Sequence, residues 1–384
     1  MRASSLFKEF VNSEKAGGIV LIACTLVSLL VANSAWGDSY TAIWQKDMGG
    51  HSVAHWINDG LMALFFLLIG LELERELYHG ALSDKKRAML PLFAAIGGML
   101  IPAGLYLAVN AGLPTASGAG IPMATDIAFA LGVLSLLGNR VPTSLKVLLT
   151  ALAVFDDLGA ILVIAFFYTS DISWLYLGLS LGVFLVLLIA NRTHFYNLAF
   201  YLIGGFLMWF FMEKSGVHAT LSGVLLAFVI PFKEGGTFSP SYILQRELHK
   251  PVAFLVLPLF ALANTAIPLN LVGGDLFSQP HSLGIVIGLI VGKPLGILLL
   301  AMLSVKLGWS HLPDDISWRG VLGIGFLAGI GFTMSIFISL LSFDDVTLIN
   351  EAKLAILIAS LVAGLIGYLL LNACLRRRRT IHWH

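Results

Sequence analysis

Val147-Leu-Leu-Thr-Ala-Leu-Ala-Val-Phe-Asp156-Asp157-Leu-Gly-Ala-Ile-Leu-Val-Ile-Ala-Phe-Phe-Tyr168 is long and apolar enough to cross a bilayer, yet it carries two adjacent carboxylates. They are the only formal charges between Lys146 and Asp171. One aspartate at the centre of a bilayer helix costs about 2.5–3.5 kcal/mol on insertion scales. Two side by side exceed what packing would justify, and intramembrane carboxylates usually mark an ion or proton path.

The composition agrees with a membrane setting. Of 384 residues, 58% are hydrophobic and 12% charged, whereas a soluble domain carries roughly 25% charged residues. The chain is therefore expected to be an all-α polytopic membrane protein with no separate soluble domain. A net charge of +1 and the lack of a basic stripe interleaved with aromatics argue against nucleic acid as a partner. Cys24 and Cys374 have no metal-ligand spacing and read as packing residues. No cofactor is expected. The first apolar run, Gly17–Ala32, reads as a retained helix rather than a signal peptide, because its flank is long and of mixed charge.

Apolar runs of membrane-spanning length predict twelve transmembrane helices. They fall at Gly17–Ala32, Ile57–Tyr78, Ala88–Asn110, Ile121–Leu137, Leu145–Tyr168, Trp174–Ala190, Leu198–Met212, Val217–Ile230, Pro251–Ile267, Leu283–Val305, Gly320–Leu341 and Ala352–Leu375. With these divisions, nineteen of the 23 Lys and Arg residues fall on one side. Lys46 and Lys214 fall on the other, and Lys293 and Lys353 within segments. The positive-inside rule then makes both termini cytoplasmic, and Arg376–Arg379 reads as an anchor on anionic membrane lipid.

Two groups of three helices, about 88–168 and 283–375, each have a middle helix interrupted by helix-weakening residues. The interruptions are Gly118-Ala-Gly-Ile-Pro-Met-Ala-Thr-Asp126 and Gly323-Ile-Gly-Phe-Leu-Ala-Gly-Ile-Gly-Phe-Thr-Met-Ser335. Paired interruptions of this kind point to inverted repeats around a midplane site. Close packing at small residues is the plainer explanation for the glycines, but the aspartate in one interruption favours a site.

Asp126 is the only formal charge from Ala88 to Asn139, and Lys293 the only one between Asp275 and Lys306. If both middle helices break inside the membrane, Asp126 offsets the facing N-ends and Lys293 the facing C-ends, each end worth about half a charge. Asp156 and Asp157 are then left for the transported species. Neighbouring helical residues point about 100° apart, so the two cannot both face one cavity. One division makes Asp157 the ligand and turns Asp156 toward Lys293. Competition of Na+ and H+ for one carboxylate site suffices for exchange when access alternates. The bland alternative is an ion-pair network that only fixes helix packing. Glu72 and Glu76 by themselves fit a solvated rim, and His218 a hydrogen-bonded interfacial histidine.

Over essentially its whole length the chain resembles the bacterial NhaA-type sodium/proton antiporters. The stretches that carry the resemblance are Trp56-Ile-Asn-Asp-Gly-Leu-Met-Ala63, Phe65-Phe-Leu-Leu-Ile-Gly-Leu-Glu72, Ala124-Thr-Asp-Ile-Ala-Phe-Ala-Leu-Gly132, Asp156-Asp-Leu-Gly-Ala160, Lys214-Ser-Gly-Val-His-Ala-Thr-Leu221, Gly292-Lys-Pro-Leu-Gly-Ile297 and Gly329-Ile-Gly-Phe-Thr-Met-Ser-Ile336. This family is itself a standard example of inverted repeats, so that expectation and the resemblance are not independent.

The resemblance implies a twelve-helix bacterial inner-membrane antiporter, not an enzyme, with two broken, crossing helices. It would export Na+ or Li+ and take up more protons than it exports ions, with two H+ per Na+ the expected ratio. Asp156 and Asp157 would bind the ion and the protons, Thr125 and Asp126 lie in a broken helix, and Lys293 compensates dipoles or pairs with an aspartate. Glu72, Glu76 and His218 would belong to the pH response, and Trp36–His55, with its Gly49-Gly50 turn, to an external hairpin that forms a homodimer. Two departures from the family pattern lie near the cytoplasmic mouth. Glu74 stands where a basic residue is common, and Leu244-Gln-Arg-Glu-Leu-His-Lys-Pro251 stands where Leu-Glu-His-x-Leu-His-Pro is usual. A monovalent cation channel and an aspartate-dependent intramembrane enzyme are the rival classes. The chain lacks a repeated filter motif, the third aspartate of Asp-Asp-x-x-Asp, and a Gly-x-Gly-Asp sequence.

Overall fold

A computed structural model describes the backbone of residues 2–80, 85–168, 172–232, 239–269 and 276–381. It describes their side chains except at 2–15, 79, 85–87, 139 and 377–381. Several basic side chains used for orientation (Arg2, Lys8, Lys15, Lys85 to Arg87, Lys233 and Arg377 to Arg379) lie outside the described residues.

The chain is almost entirely helical. In order, the helices are α1 (Arg2–Ala32), α2 (Gly37–Gln45), α3 (Val53–His55), α4 (Met62–His79), α5 (Lys85–Asn110), α6 (Ile127–Ser135), α7 (Thr143–Phe167), α8 (Trp174–Arg192) and α9 (Leu198–Lys214). They continue with α10 (Leu221–Val229), α11 (Pro240–Pro251), α12 (Leu257–Asn264), α13 (Pro280–Ile287), α14 (Lys293–Lys306), α15 (Trp318–Ala328), α16 (Phe332–Ser342) and α17 (Val346–Ile381). π-Helical turns at Trp56–Leu61, Val252–Val256 and Gly288–Gly292 join α3 to α4, α11 to α12 and α13 to α14. Among the described residues the one β-ribbon pairs β1 (Asp47–Met48) with β2 (His51–Ser52). Gly49 and Gly50 turn it with φ of 72° and 95°, a backbone that side chains disfavour.

Among the described residues six helices are long and apolar enough to span a membrane, and up to nine if each of three bent pairs counts as one span. Helices α9, α10 and α12 fall short of that length. For α10 the reason is local: Ser215 to Thr220 form turns where the apolar run predicted helix from Val217, so the helix begins only at Leu221. Leu361, Leu365 and Leu369, one helical turn apart on α17, are 69, 58 and 54% exposed, as an apolar face toward lipid requires.

Two compact units divide the chain, the boundary within α7 falling after Ala160. The first comprises residues 1–35, 84–160 and 264–384. Here α5 and α14 cross at glycines: a Cβ on Gly97 would lie 2.1 Å from the Gly296 carbonyl, and one on Gly296 2.1 Å from that of Gly97. Only hydrogen at both positions permits this approach. The crossing fixes Lys293 three residues upstream, and a Cβ on Gly325 would meet the Pro294 backbone at 2.9 Å, which sets α15 against the same turn. Both interrupted segments are broken helices. The 3₁₀-helix Pro114–Met123 and α6 meet at 41° across extended residues 124–126, and α15 and α16 meet at 49° across 329–331.

The second unit, residues 36–83 and 161–263, packs around Leu67, Leu71, Leu187, Tyr201, Met208 and Leu226. Its α4 and α10 also cross on a glycine, since a Cβ on Gly223 would lie 2.2 Å from the Ala63 carbonyl.

Candidate ion-binding site

The broken helices explain how charged side chains come to lie deep in the first unit. Each break leaves an N-terminus whose amides have no intrahelical partner. Asp126 serves two of them. Its Oδ1 accepts from the Phe129 amide of α6 at 3.0 Å, and its Oδ2 accepts from the Thr333 amide of α16 at 3.1 Å and the Thr333 hydroxyl at 2.5 Å. The Asp126 amide in turn donates to the Ile330 carbonyl at 2.7 Å, tying one break to the other. Ser335 of α16 donates to the Ile121 carbonyl at 2.7 Å.

Lys293 begins α14 directly after the π-helical turn Gly288–Gly292, an irregularity common at functional sites. Its side chain is 0% exposed and donates to the Met123 carbonyl, the last residue of the 3₁₀ half-helix. The same Nζ lies 2.8 Å from Asp156 Oδ2. Thr125 Oγ1 is 2.6 Å from that oxygen and 2.9 Å from the Ala328 carbonyl. Asp156 Oδ1 is buried and has no hydrogen-bond partner. Asp157 is likewise 1% exposed and interacts electrostatically with Lys293. The structure thus gathers Thr125, Asp126, Asp156, Asp157 and Lys293 in one unit. Of the two aspartates, Asp156 directly meets the lysine.

A buried carboxylate with one oxygen fully engaged and the other bare can take a proton or an oxygen-seeking cation on the bare oxygen. Nothing in this constellation resembles a nucleophile, base and oxyanion-hole arrangement.

The remaining sequence candidates lie in the second unit. Glu72 Oε1 is 3.9 Å from His249 Nδ1, and Glu76 interacts electrostatically with Glu72. Glu74 is buried and accepts from Ser241 at 3.3 Å, while Arg75 donates to Gln245 at 3.3 Å and stacks over Tyr242. The end of α4 thus meets the face of α11 beside both departures from the family pattern, Glu74 at Ser241 and Arg75 at Gln245. His218 Nε2 is 2.6 Å from the Tyr168 carbonyl, which makes Nε2 the protonated nitrogen.

A family model described as Na+/H+ antiporter 1 matches residues 8–371. The chain belongs to this family. The Na+/H+ antiporter NhaA of Flavobacterium psychrophilum is 62% identical over 376 residues, covering 98% of each chain. That of Dechloromonas aromatica is 56% identical, covering 97% of this chain and 96% of its own, and that of Aliivibrio salmonicida 48%, covering 98% and 99%. Among solved structures, the sodium proton antiporter MjNhaP1 of Methanocaldococcus jannaschii at pH 8 aligns with a TM-score of 0.56 over 98% of this chain and 99% of its own. At 14% identity that likeness concerns the fold.

For this Na+/H+ antiporter family member, the sequence reading missed several polar groups that the structure engages. Thr333 and Ser335, two and four residues after Gly331, complete the bonds between the breaks. His281 (Nε2 3.1 Å from Glu351) and Lys353 (Nζ 3.3 Å from Asn264 Oδ1) are buried ionisable groups at the starts of α13 and α17.

Proposed function

We propose that the chain is a secondary antiporter that exports Na+, and Li+, from the cytoplasm in exchange for external H+, by alternating access. The observation that carries this reading is the buried Asp156–Asp157 pair, with Lys293 and Thr125 on one oxygen of Asp156 and its other oxygen bare. The likeness to relatives known as Na+/H+ antiporters supports the exchanged ions.

In this reading Asp157 is the main ligand of the transported cation, and Asp156 shares the proton load with Lys293. Asp126 offsets the N-ends of α6 and α16, Lys293 the C-end at Met123, and Thr125 steadies Asp156. Two protons per Na+ make the cycle electrogenic, and the membrane potential then contributes about 2.3 kcal/mol per charge per 100 mV. Glu72, His218 and Glu76 adjust activity with pH.

The finer architecture belongs to the same proposal. Nine spans with α9, α10 and α12 give twelve crossings. Two inverted repeats, about 88–168 and 283–375, are supported by the same order of helix, broken helix, helix in each. Both termini face the cytoplasm of a bacterium, the protein sits in the inner membrane, and the hairpin at 36–55 pairs two copies.

The test is proton movement in everted vesicles on adding Na+, Li+ or K+ across pH. Na+ and Li+ release protons from the loaded lumen, and Asp157→Asn abolishes the signal. Na+-driven proton movement that persists in Asp157→Asn overturns the ligand assignment. Flux that needs no counter-ion marks a channel instead, and flux indifferent to a potassium-diffusion potential rules out electrogenic exchange.

A further inference from the structure

Away from the buried carboxylates, the second unit brings together three side chains from distant parts of the chain. His51 is the first residue of β2, fixed there by the Gly49-Gly50 turn and paired with Met48. One helical turn on, His55 closes α3, its amide held by Ser52 Oγ at 3.1 Å. Glu213 is the penultimate residue of α9, more than 150 positions later. Trp56 Nε1 donates to the Met48 carbonyl at 2.7 Å and pins the ribbon above this spot.

The donor atoms converge. His51 Nε2 is 3.3 Å and His55 Nε2 3.4 Å from the same oxygen, Glu213 Oε1. All three ligand atoms lie within 4.8 Å of one another. Both contacts exceed the 2.7–2.9 Å of a charge-assisted hydrogen bond. They match instead the edge of a tetrahedron whose centre is about 2.0–2.1 Å from each ligand, roughly 3.3–3.4 Å. The His51 and His55 rings stack with centroids 4.2 Å apart and 13° between their planes, so closing the remaining His–His edge turns His51, the most exposed of the three at 46%, out of that stack.

A second observation points the same way. His55 uses its other nitrogen, Nδ1, on Asp59 Oδ2 at 3.1 Å. A carboxylate behind a histidine fixes its tautomer, leaves Nε2 with a free lone pair, and makes it a stronger donor to a metal. Glu213 and Asp59 together offset a dication, and the neighbouring Lys214 ammonium is turned away over the Phe210 ring at 5.0 Å. The partial exposure of His51, His55 and Glu213 provides an entry path.

We propose that His51, His55 and Glu213 form a binding site for a divalent transition metal, Zn2+ above all, with Asp59 orienting His55 and the fourth position left to water. Imidazole nitrogen suits Zn2+, Cu2+ and Ni2+, and alkali cations prefer oxygen. The site is thus separate from that for the transported ion. Occupancy clips the ribbon to the end of α9, next to the segment Lys214-Ser-Gly-Val-His218.

The test uses tag-free, full-length protein purified in detergent. Zn2+ binding is measured by calorimetry, and Co2+ binding by visible absorption, which is intense only for four-coordinate cobalt. The expected result is one site per chain. His51→Asn, His55→Asn and Glu213→Gln should each weaken it at least tenfold, and Asp59→Asn by about tenfold, while metal-free thermal unfolding stays unchanged. Absence of binding to the unaltered protein overturns the proposal. So does equal binding by all four variants, which would place the metal elsewhere, for example on His382 and His384. Should one variant fail to fold, the other three still decide the outcome.

Discussion

Asp126→Asn isolates what the double cap between the broken helices contributes. The side chain keeps its shape and loses its charge. The amide oxygen still accepts from Phe129, but an NH₂ group replaces the oxygen that now accepts from the Thr333 amide and hydroxyl. The hydroxyl can rotate to accept instead. The Thr333 amide cannot, and a buried donor without a partner costs about 1–3 kcal/mol. Two half-helix N-termini also lose the charge that faced them, each worth up to about 2 kcal/mol where partly buried. The net loss is then between about 1 and about 7 kcal/mol. Thr333→Ala removes only the hydroxyl bond, and about 1–2 kcal/mol is expected.

Equilibrium unfolding in mixed micelles across increasing denaturing detergent measures both, and the double variant measures their coupling. The two losses should not add, because both variants act on one network. If Asp126→Asn unfolds within about 0.5 kcal/mol of the unaltered protein, the double cap carries no stability. An additive double variant would equally refute a shared network.

Lys293→Ala should destabilise by about 3–5 kcal/mol, since it leaves the Asp156 carboxylate buried without its cation. Adding Asp156→Asn should recover part of that loss in the same unfolding assay, and no recovery would separate the two residues energetically. Gly97→Ala and Gly296→Ala should each cost stability and lower the yield of folded protein. Each Cβ meets a main-chain carbonyl at 2.1 Å, which no side-chain rotation relieves. Gly104→Ala, with open space around its Cβ, is the control and should behave as the unaltered protein. His218→Gln retains a donor toward the Tyr168 carbonyl but does not titrate. If His218 contributes to pH control, this variant should keep maximal exchange and shift its pH profile; an unmoved profile removes His218 from that role.

The site was legible where a formal charge interrupted an apolar run. Asp126, Lys293 and the Asp156–Asp157 pair each stand alone over a membrane-length stretch, so a census of charge alone singled them out. The same census passed over His281, which is not a formal charge, and Glu351, which follows the acidic stretch Asp344-Asp345 and resembles a solvated rim, and it placed Lys353 within the last segment without a role. Burial of the last three is a tertiary fact: it depends on α13 and α17 meeting, and no local pattern records it. Thr333 and Ser335 are uncharged, and only a helix known to break at Gly329–Gly331 brings them to Asp126 and the Ile121 carbonyl. The long helices were readable from hydropathy, but the start of the first broken helix at Pro114 was not. Pro114-Thr-Ala-Ser117 is too polar for an apolar run to include, whereas the Tyr106 hydroxyl, bonded to the Thr115 carbonyl at 2.7 Å, holds it in place. His51, His55 and Glu213 required folding to meet at all.

The Thr125 hydroxyl has one hydrogen and two acceptors within reach, Asp156 Oδ2 and the Ala328 carbonyl at the end of α15. While Asp156 is ionised, the hydrogen belongs on the carboxylate and the carbonyl goes without it. Once Asp156 takes a proton on the bare Oδ1, Oδ2 is a neutral carbonyl oxygen and a weaker acceptor, and Thr125 is free to turn its hydrogen to Ala328. Loading a proton thus moves one hydrogen from the carboxyl to the backbone and strengthens the hold of one broken helix on the other. The threonine works as a relay that converts the charge state of a carboxylate into a grip on backbone.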